Sequence, residues 1–322
     1  MTAPKMVYTI PNAPVDANAS TAAKSLYTYL LSQFGTKTIS GQTDNDSDFM
    51  HIKQVTGYTP LIRDYDMQPY SPAYSYNWAN GGFAFGADDA SPNVPNAINW
   101  YNNTGKKAII DFQWHWHSPL GGTVGTNTFY QQYTTFDVSQ AVIAGTPENI
   151  ATISNIDSIA FQLKRLSDAG VPIIWRPLHE AGGTWFWWSA KGPAAYKALW
   201  NIMYDRLVNY HELHNLIWMW NGDDPAWYPG DNVVDIASID SYPGNFIYTT
   251  DASEFNADYT ITGGKKMIAM SENGPIPDVQ GSFTAGITWS FFMSWYDISV
   301  GNSDQHLKDV YQNPNVVNLE NR

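Results

Sequence analysis

The stretch VPIIWRPLHE (residues 171–180) carries the pattern that decides the fold of this 322-residue chain. It is a short run of β-branched and other apolar residues followed by side chains able to do chemistry. The run does not alternate between apolar and polar residues, which is typical of a strand buried on both faces of a parallel sheet. The stretch KKMIAMSE (residues 265–272) repeats this pattern. Both stretches therefore predict parallel strands whose carboxyl ends present reactive groups.

Six similar runs complete a regular series along the chain. The eight predicted strands lie within residues 36–42, 59–66, 107–117, 171–180, 216–221, 233–242, 265–274 and 288–297. Helical patterns fall between them, for example at residues 22–33, 148–169 and 194–211, the second with Thr146-Pro147-Glu148 as its start signal. Eight strands alternating with helices predict a (β/α)8 barrel in the α/β class, with residues 1–322 forming one domain.

Composition excludes several classes of function. There is no Cys, which removes disulfides, thiolate metal sites and Cys nucleophiles. The net charge of -13, with only 17 Lys and Arg, argues against a nucleic-acid partner. No apolar run is long enough to span a membrane, so no membrane partner is expected. The 14 Trp and 20 Tyr offer flat apolar faces, which suit sugar rings.

The ends of the predicted strands are much richer in chemistry than their starts. A (β/α)8 barrel places its active site at the carboxyl ends of its strands. The residues found there are Gln42, Arg63, Asp64, Asp66, Trp114, His115, His117, Arg176, His179, Glu180, Asn221, Asp224, Asp240, Tyr242, Glu272, Trp295 and Asp297.

Two of these residues, Glu180 and Glu272, are unusual because the chain has only six Glu among 30 acidic residues. The other four lie in helical, loop or tail contexts. Two carboxyls about 5–5.5 Å apart across a glycosidic bond define a retaining glycosidase, with one protonated and the other ionised. Structural ion pairs with Arg63, Arg176 or Lys266 are the alternative explanation.

A metal site is a weaker alternative at the same strand ends. His115, His117 and His179 are potential ligands, but HEAGG lacks the second His of a metalloprotease helix. A nucleophilic Ser is not supported either, since the chain has no G-x-S-x-G sequence. We therefore expect no metal and no cofactor.

The stretch RPLHEAGGTWFWW (residues 176–188) resembles glycoside hydrolase family 26, whose members are mostly retaining endo-β-1,4-mannanases with (β/α)8 barrels. Three further stretches fall in the family's order and spacing. These are FQWHWHSP (residues 112–119), AWYPGDNVVDIASIDSY (residues 226–242) and MSENG (residues 270–274). The resemblance covers most of the chain.

The resemblance implies a role for each matching residue. Glu180 would be the general acid/base and Glu272 the nucleophile. Six further residues would bind the substrate or hold the nucleophile, namely His115, Arg176, His179, Trp185, Tyr242 and Trp295. We also expect the loop Tyr70–Asn93 to shape a wall of the cleft. The role of His117 and the contacts near Asp64 and Asp66 stay open.

The implied activity is hydrolysis of internal β-1,4-mannosidic bonds in mannan, glucomannan or galactomannan. A β-1,3-1,4-glucanase (lichenase) or a β-1,3-xylanase on the same scaffold, or a non-catalytic carbohydrate-binding protein, are the alternatives. We expect a monomer whose partner is a β-mannan or manno-oligosaccharide. The N-terminus lacks a signal-peptide pattern, but a polymeric substrate favours a secreted protein.

Overall fold

The computed structural model describes residues 6–73 and 92–322 and contains a closed barrel of parallel strands. Each strand pairs with the next along the chain, and the last pairs with the first. In order, the strands are β1 (Gly41–Thr43), β2 (Ile62–Asp66), β3 (Ile109–Gln113), β4 (Ile173–Arg176), β5 (Leu216–Asn221), β6 (Ile236–Ser241), β7 (Met267–Asn273) and β8 (Phe292–Ser294). All eight predicted strands are present, and the (β/α)8 barrel is confirmed.

Helices surround the barrel. They are α1 (Thr21–Gln33), α2 (Asp46–Thr56), α3 (Asn93–Asn103), α4 (Val138–Ala141), α5 (Pro147–Asp168), α6 (Pro193–Tyr204), α7 (Ala252–Thr262), α8 (Val279–Ala285), α9 (Ile298–Gly301) and α10 (Asp304–Tyr311). Outside the barrel, Thr38–Ile39 and Val316–Val317 pair in parallel, which holds the C-terminal segment against the segment just before β1. Within the described residues, every helix is too short or too polar to cross a membrane.

Local sequence signals explain where the predicted helices begin. The Thr146 hydroxyl caps α5 by accepting a hydrogen bond from the Asn149 N–H at 3.1 Å, and Pro147 occupies the first turn. The helix predicted at residues 194–211 begins one residue early, as α6. Its regular part ends at Tyr204, and residues Asp205–Tyr210 continue as a wider π-helical turn.

The strand within residues 171–180 ends earlier than the apolar run of this stretch predicts. Strand β4 stops at Arg176, because Pro177 has no N–H to donate to the neighbouring strand. Leu178 and Glu180 then adopt the left-handed backbone region, with φ of 51° and 54°. Glu180 therefore lies in the loop after β4, whereas Glu272 lies within β7.

Most tryptophans of the described chain build the core and do not offer faces to a ligand. Eight indoles are fully buried, namely Trp114, Trp116, Trp175, Trp187, Trp188, Trp200, Trp218 and Trp220. The rings of Trp114 and Trp116 stack with their centroids 4.0 Å apart, a contact that contributes about 0.5–1.5 kcal/mol beyond burial. The high tryptophan content is thus chiefly a property of the core.

Candidate active site

The loop after β4 carries Glu180 to the mouth of the barrel. Its carboxylate oxygen Oε2 accepts a hydrogen bond from the Trp185 indole N–H at 2.5 Å, and its backbone N–H donates to Asn221 Oδ1 at 2.5 Å. Trp185 is 50% exposed, whereas the following Phe186, Trp187 and Trp188 are buried. A single aromatic residue of this cluster therefore faces solvent beside Glu180.

Strand β7 presents Glu272 between two donors. The guanidinium of Arg176 donates to Oε2 at 2.7 Å, and the Tyr242 hydroxyl donates to Oε1 at 2.5 Å. The side chain of Arg176 is almost fully buried and also donates to both oxygens of Asp240, at 3.0 and 3.2 Å. Each oxygen of Glu272 is therefore held by one strong donor, which fixes the orientation of the carboxylate.

The two Glu face each other across the mouth of the barrel. One carboxylate oxygen each from Glu180, Asp240 and Glu272 lies within 4.8 Å of the others. This separation is compatible with the roughly 5–5.5 Å that double displacement requires between two carboxyls. A pair of carboxyls at this spacing is able to deliver a proton and a nucleophile to the same bond.

The surroundings of Glu180 favour its protonated form. Burial raises the pKa of Glu180, and the negative charge of Glu272 raises it further. Burial likewise raises the pKa of Asp240, although the positive charge of Arg176 opposes this shift. The Arg176 guanidinium donates to Asp240 and Glu272. The Glu180 carboxylate instead accepts its hydrogen bond from the Trp185 indole, and its raised pKa suits a group that delivers a proton.

Two histidines form a chain that runs to Asp66. The Nδ1 atom of His115 lies 2.6 Å from an oxygen of Asp66, and its Nε2 atom lies 3.2 Å from Nε2 of His179. The protonation and tautomer of the two rings decide which Nε2 atom donates in the contact between them. Burial lowers the pKa of His179 well below its ordinary value, which keeps that ring neutral.

His117 is directed away from this chain. Its Nδ1 lies 3.0 Å from the Thr128 hydroxyl, and burial lowers its pKa to about 4. Among the residues described, these three histidines do not form a group close enough to share one ion. Within residues 6–73 and 92–322, the group close enough to share an ion is Glu180, Asp240 and Glu272. Arg176 already supplies a cation to two of these three.

A cleft of about 620 Å³ lies at the mouth of the barrel, at the carboxyl ends of β1, β2, β3 and β8. Its lining includes Asp66, His115, Tyr130, Trp295 and Tyr296. Trp295 contacts His115 with ring centroids 5.9 Å apart and contacts Tyr296 at 4.7 Å. A second, smaller pocket is lined by Glu180 and Trp185. Of the wall predicted at Tyr70–Asn93, residues 74–91 lie outside the described residues.

All eight predicted site residues lie near this mouth, and several of their partners had no predicted role. Gln113 accepts a hydrogen bond from Arg176 and donates one to Asp64 at 3.1 Å. Asp66 fixes His115, and Asn221 contacts Glu180. Gln113 lies two residues before His115, so the alternation of side chains along a strand was the available signal that both face the same side.

A closed (β/α)8 barrel with two facing carboxyls at its C-terminal mouth defines a class of glycoside hydrolases. The chain belongs to glycosyl hydrolase family 26, because the sequence model of that family matches residues 15–321.

Its relatives include a mannan endo-1,4-beta-mannosidase of Thermothelomyces thermophilus, 38% identical over 99% of this chain and 65% of the relative. Mannan endo-1,4-beta-mannosidase A of a Piromyces species is 35% identical over 95% of this chain. The chain spans 65% and 50% of the lengths of these two relatives.

Solved structures agree with this assignment. A Podospora anserina GH26-CBM35 beta-(1,4)-mannanase superimposes with a TM-score of 0.88 at 37% identity, over 99% of this chain and 70% of that one. A beta-mannanase from a symbiotic protist of the termite Reticulitermes speratus, complexed with gluco-manno-oligosaccharide, gives 0.86 at 32% identity over 98% of both chains.

Proposed function

We propose that this chain is a retaining endo-β-1,4-mannanase that cuts internal bonds of mannan, glucomannan or galactomannan. The observation that carries the proposal is the spacing of Glu180 and Glu272, whose nearest carboxylate oxygens lie within 4.8 Å. The names of the relatives supply the sugar, since both are mannan endo-1,4-beta-mannosidases.

In the first step, protonated Glu180 gives its proton to the departing glycosidic oxygen while an oxygen of Glu272 attacks the anomeric carbon. The bond to the leaving sugar breaks, and a covalent glycosyl-enzyme forms. In the second step, ionised Glu180 takes a proton from water, whose oxygen attacks the same carbon and releases Glu272. The raised pKa of Glu180 suits both steps, because the group must hold and then accept a proton near neutral pH.

Arg176 and Tyr242 prepare Glu272 for attack. Their hydrogen bonds to opposite oxygens hold the carboxylate in one orientation before the sugar arrives. Pre-set orientation lowers the barrier because little reorganisation is left for the reaction itself. His115 and Trp295 border the larger cleft, where they are placed to contact the sugar being transferred. His179 is buried behind His115 and supports it, and Trp185 borders the smaller pocket, assigned to the leaving side.

Exposed aromatic side chains support a sugar polymer as substrate. Tyr130, Trp185, Tyr242 and Tyr296 are at least one-third exposed and border the mouth of the barrel or its cleft. Flat rings along both pockets suit a substrate that binds several sugar units, as a polymer does.

A reducing-sugar assay on mannan, glucomannan, lichenan and β-1,3-xylan tests this proposal. We expect release of oligosaccharides from the mannans, and proton NMR of the first products should show the β-anomer. Cleavage of lichenan or β-1,3-xylan in place of mannan would favour the alternative activities. Binding of mannan without products would favour a non-catalytic carbohydrate-binding protein.

We extend the proposal to the working form of the protein. A polysaccharide does not cross membranes, so the chain is proposed to act outside the cell as one catalytic domain, residues 1–322, and as a monomer without a cofactor. Detection of activity in the medium of the producing cells, together with a particle mass near 36.0 kDa in solution, tests these points.

A further inference from the structure

We propose that Asn221 is a positioning residue for the acid/base Glu180, an inference that rests on the function proposed above. Asn221 is the last residue of β5 and is almost fully buried. It does not touch the Glu180 carboxyl. It acts on the backbone that aims this carboxyl at the sugar.

The backbone conformation around Glu180 is one that residues other than glycine disfavour. Leu178, Glu180 and Thr184 all lie in the left-handed region, at φ of 51°, 54° and 61°. Side chains other than Gly disfavour this region, so such residues persist only where neighbouring structure fixes them. The segment therefore depends on partners from other elements.

Asn221 binds this segment on both sides of the Glu180 α-carbon. Its side-chain oxygen accepts the Glu180 N–H at 2.5 Å, and its own backbone oxygen accepts the Ala181 N–H at 3.1 Å. These two hydrogen bonds enclose the rotatable bonds that set where the Glu180 side chain points. No other residue in the described chain donates to or accepts from both Glu180 and Ala181 backbone amides.

The partners of Asn221 also fix which way its amide faces. An N–H donor at Glu180 requires the amide oxygen, so the amide nitrogen must face Asp240 Oδ1 at 2.8 Å and Ser271 Oγ at 3.0 Å. Asp240 in turn accepts from Arg176, which holds Glu272. One amide thus connects the backbone of the acid to the group that orients the nucleophile.

Two substrates with different leaving groups test the proposal. Mannotetraose needs a proton on its leaving oxygen, whereas 2,4-dinitrophenyl β-mannobioside does not, and kcat/KM reports steps up to the first bond cleavage. A wrongly oriented Glu180 carboxyl should therefore lower kcat/KM for mannotetraose alone. We expect Asn221→Ala to lower kcat/KM for mannotetraose by about 10- to 100-fold and for the dinitrophenyl substrate by less than about 3-fold.

Asn221→Asp is the conservative variant. It keeps an oxygen for the Glu180 N–H, and a proton on its other oxygen replaces the amide donor toward Asp240. We expect the ratio of kcat/KM for the two substrates to return to within about 3-fold of the wild-type ratio. Equal losses on both substrates for Asn221→Ala, or no loss on mannotetraose, would overturn the proposal.

Tyr196→Phe is the matched control. The Tyr196 hydroxyl donates to the Leu178 carbonyl at 3.0 Å, so this change also removes one hydrogen bond from the strained segment, but two residues from the acid. We expect a lower melting temperature with an unchanged substrate ratio. A ratio altered as much as in Asn221→Ala would mean general loosening and would contradict a specific role.

A crystal structure of Asn221→Ala gives a readout that does not depend on turnover. We expect the Glu180 backbone to leave the left-handed region or its carboxyl to lose the Trp185 contact, and an unchanged Glu180 would reject the proposal. If the wild-type protein cleaves neither substrate, the proposed function fails, while this structure still decides the role of Asn221.

Discussion

The indole nitrogen of Trp185 lies 2.5 Å from Oε2 of Glu180, so a half-exposed ring at the mouth of the barrel is bonded directly to the proposed acid. The N–H of Trp185 stabilises the ionised carboxylate and opposes the rise in pKa that burial causes. This contact therefore links the shape of the cleft to the proton affinity of the acid.

Replacing Trp185 by Phe should raise the pKa of Glu180 further, because the ring remains and the donor is lost. Glu180 works in the first step when protonated, so activity is lost as pH rises through this pKa. We expect the alkaline limb of the kcat/KM profile on manno-oligosaccharide to move to higher pH. Trp289→Phe removes a distant indole donor and should leave the limb in place. A limb that moves down or stays fixed in Trp185→Phe would contradict the assignment.

Replacing Glu180 or Glu272 by Ala should abolish most turnover, and each variant should form a different product with an added nucleophile. Glu180→Ala loses general acid/base catalysis, worth about 10²–10⁴-fold, and Glu272→Ala should lose more because no covalent intermediate forms. Added azide should yield a β-mannosyl azide with Glu180→Ala and an α-mannosyl azide with Glu272→Ala, which NMR distinguishes.

Glu148→Ala supplies the comparison for both variants. Glu148 lies in the first turn of α5, one of the helices that surround the barrel, and borders neither pocket at the mouth. We expect nearly full activity from this variant and no azide product. Azide products of the same configuration from the two active-site variants would refute the assigned roles.

The Tyr242 hydroxyl should contribute to attack by Glu272 and little to substrate affinity. Tyr242→Phe leaves the ring in place but frees one oxygen of the nucleophile from its 2.5 Å hydrogen bond. A lost charge-assisted hydrogen bond of about 1.5–3 kcal/mol corresponds to a fall in kcat of roughly 10- to 100-fold. Steady-state kinetics on manno-oligosaccharides should show this fall with a KM within about 3-fold of wild type. A change confined to KM would show instead that Tyr242 only binds sugar.

A buried acid beneath the site should make the protein less stable as pH rises. Burial raises the pKa of Asp111 from 3.8 to about 7, so the folded state keeps a proton that the unfolded state has lost between these values. The free energy of unfolding contributed by this group is then full below pH 3.8 and declines by up to about 1.4 kcal/mol per pH unit toward pH 7. Relative to wild type, Asp111→Asn should gain stability in urea unfolding across this range.

Asp157→Asn provides the control of opposite sign. At Asp157, hydrogen bonds from Arg206 and His211 outweigh partial burial, so its pKa is lowered. The contribution of this group is present above pH 3.8 and is lost as pH falls below it. The variant should therefore lose stability relative to wild type at pH 7. Parallel pH curves for wild type and Asp111→Asn would show that Asp111 is ionised in the folded protein.

Periodicity and strand ends were sufficient to predict the barrel, because fully buried parallel strands leave continuous apolar runs. The same reasoning placed Glu272 correctly at the end of β7. It put Glu180 at the end of a strand, whereas Pro177 stops β4 and leaves Glu180 in a loop. A left-handed backbone at a Glu leaves no trace in composition, since the contacts that hold it come from Asn221, distant in the sequence.

The partners of the reactive groups were less accessible to sequence reasoning. Gln113 acquires its role from Arg176 on β4, and Asp66 acquires its role from His115 in the loop after β3. Pairwise hydrogen bonds across a barrel depend on register, and one sequence does not specify the register of eight strands. The high tryptophan content also said little about the ligand site, because most indoles of the described chain fill the core.

This distribution of buried and exposed indoles allows the intrinsic tryptophan fluorescence of the protein to report on its cleft. Buried tryptophans emit at short wavelength and are shielded from water-soluble quenchers. Trp185 is half exposed and bonded to Glu180, so it should emit at longer wavelength and be accessible to these quenchers. A sugar chain lying along the mouth of the barrel should therefore change the long-wavelength part of the emission spectrum. Occupancy of the cleft can be followed by fluorescence without attaching a dye.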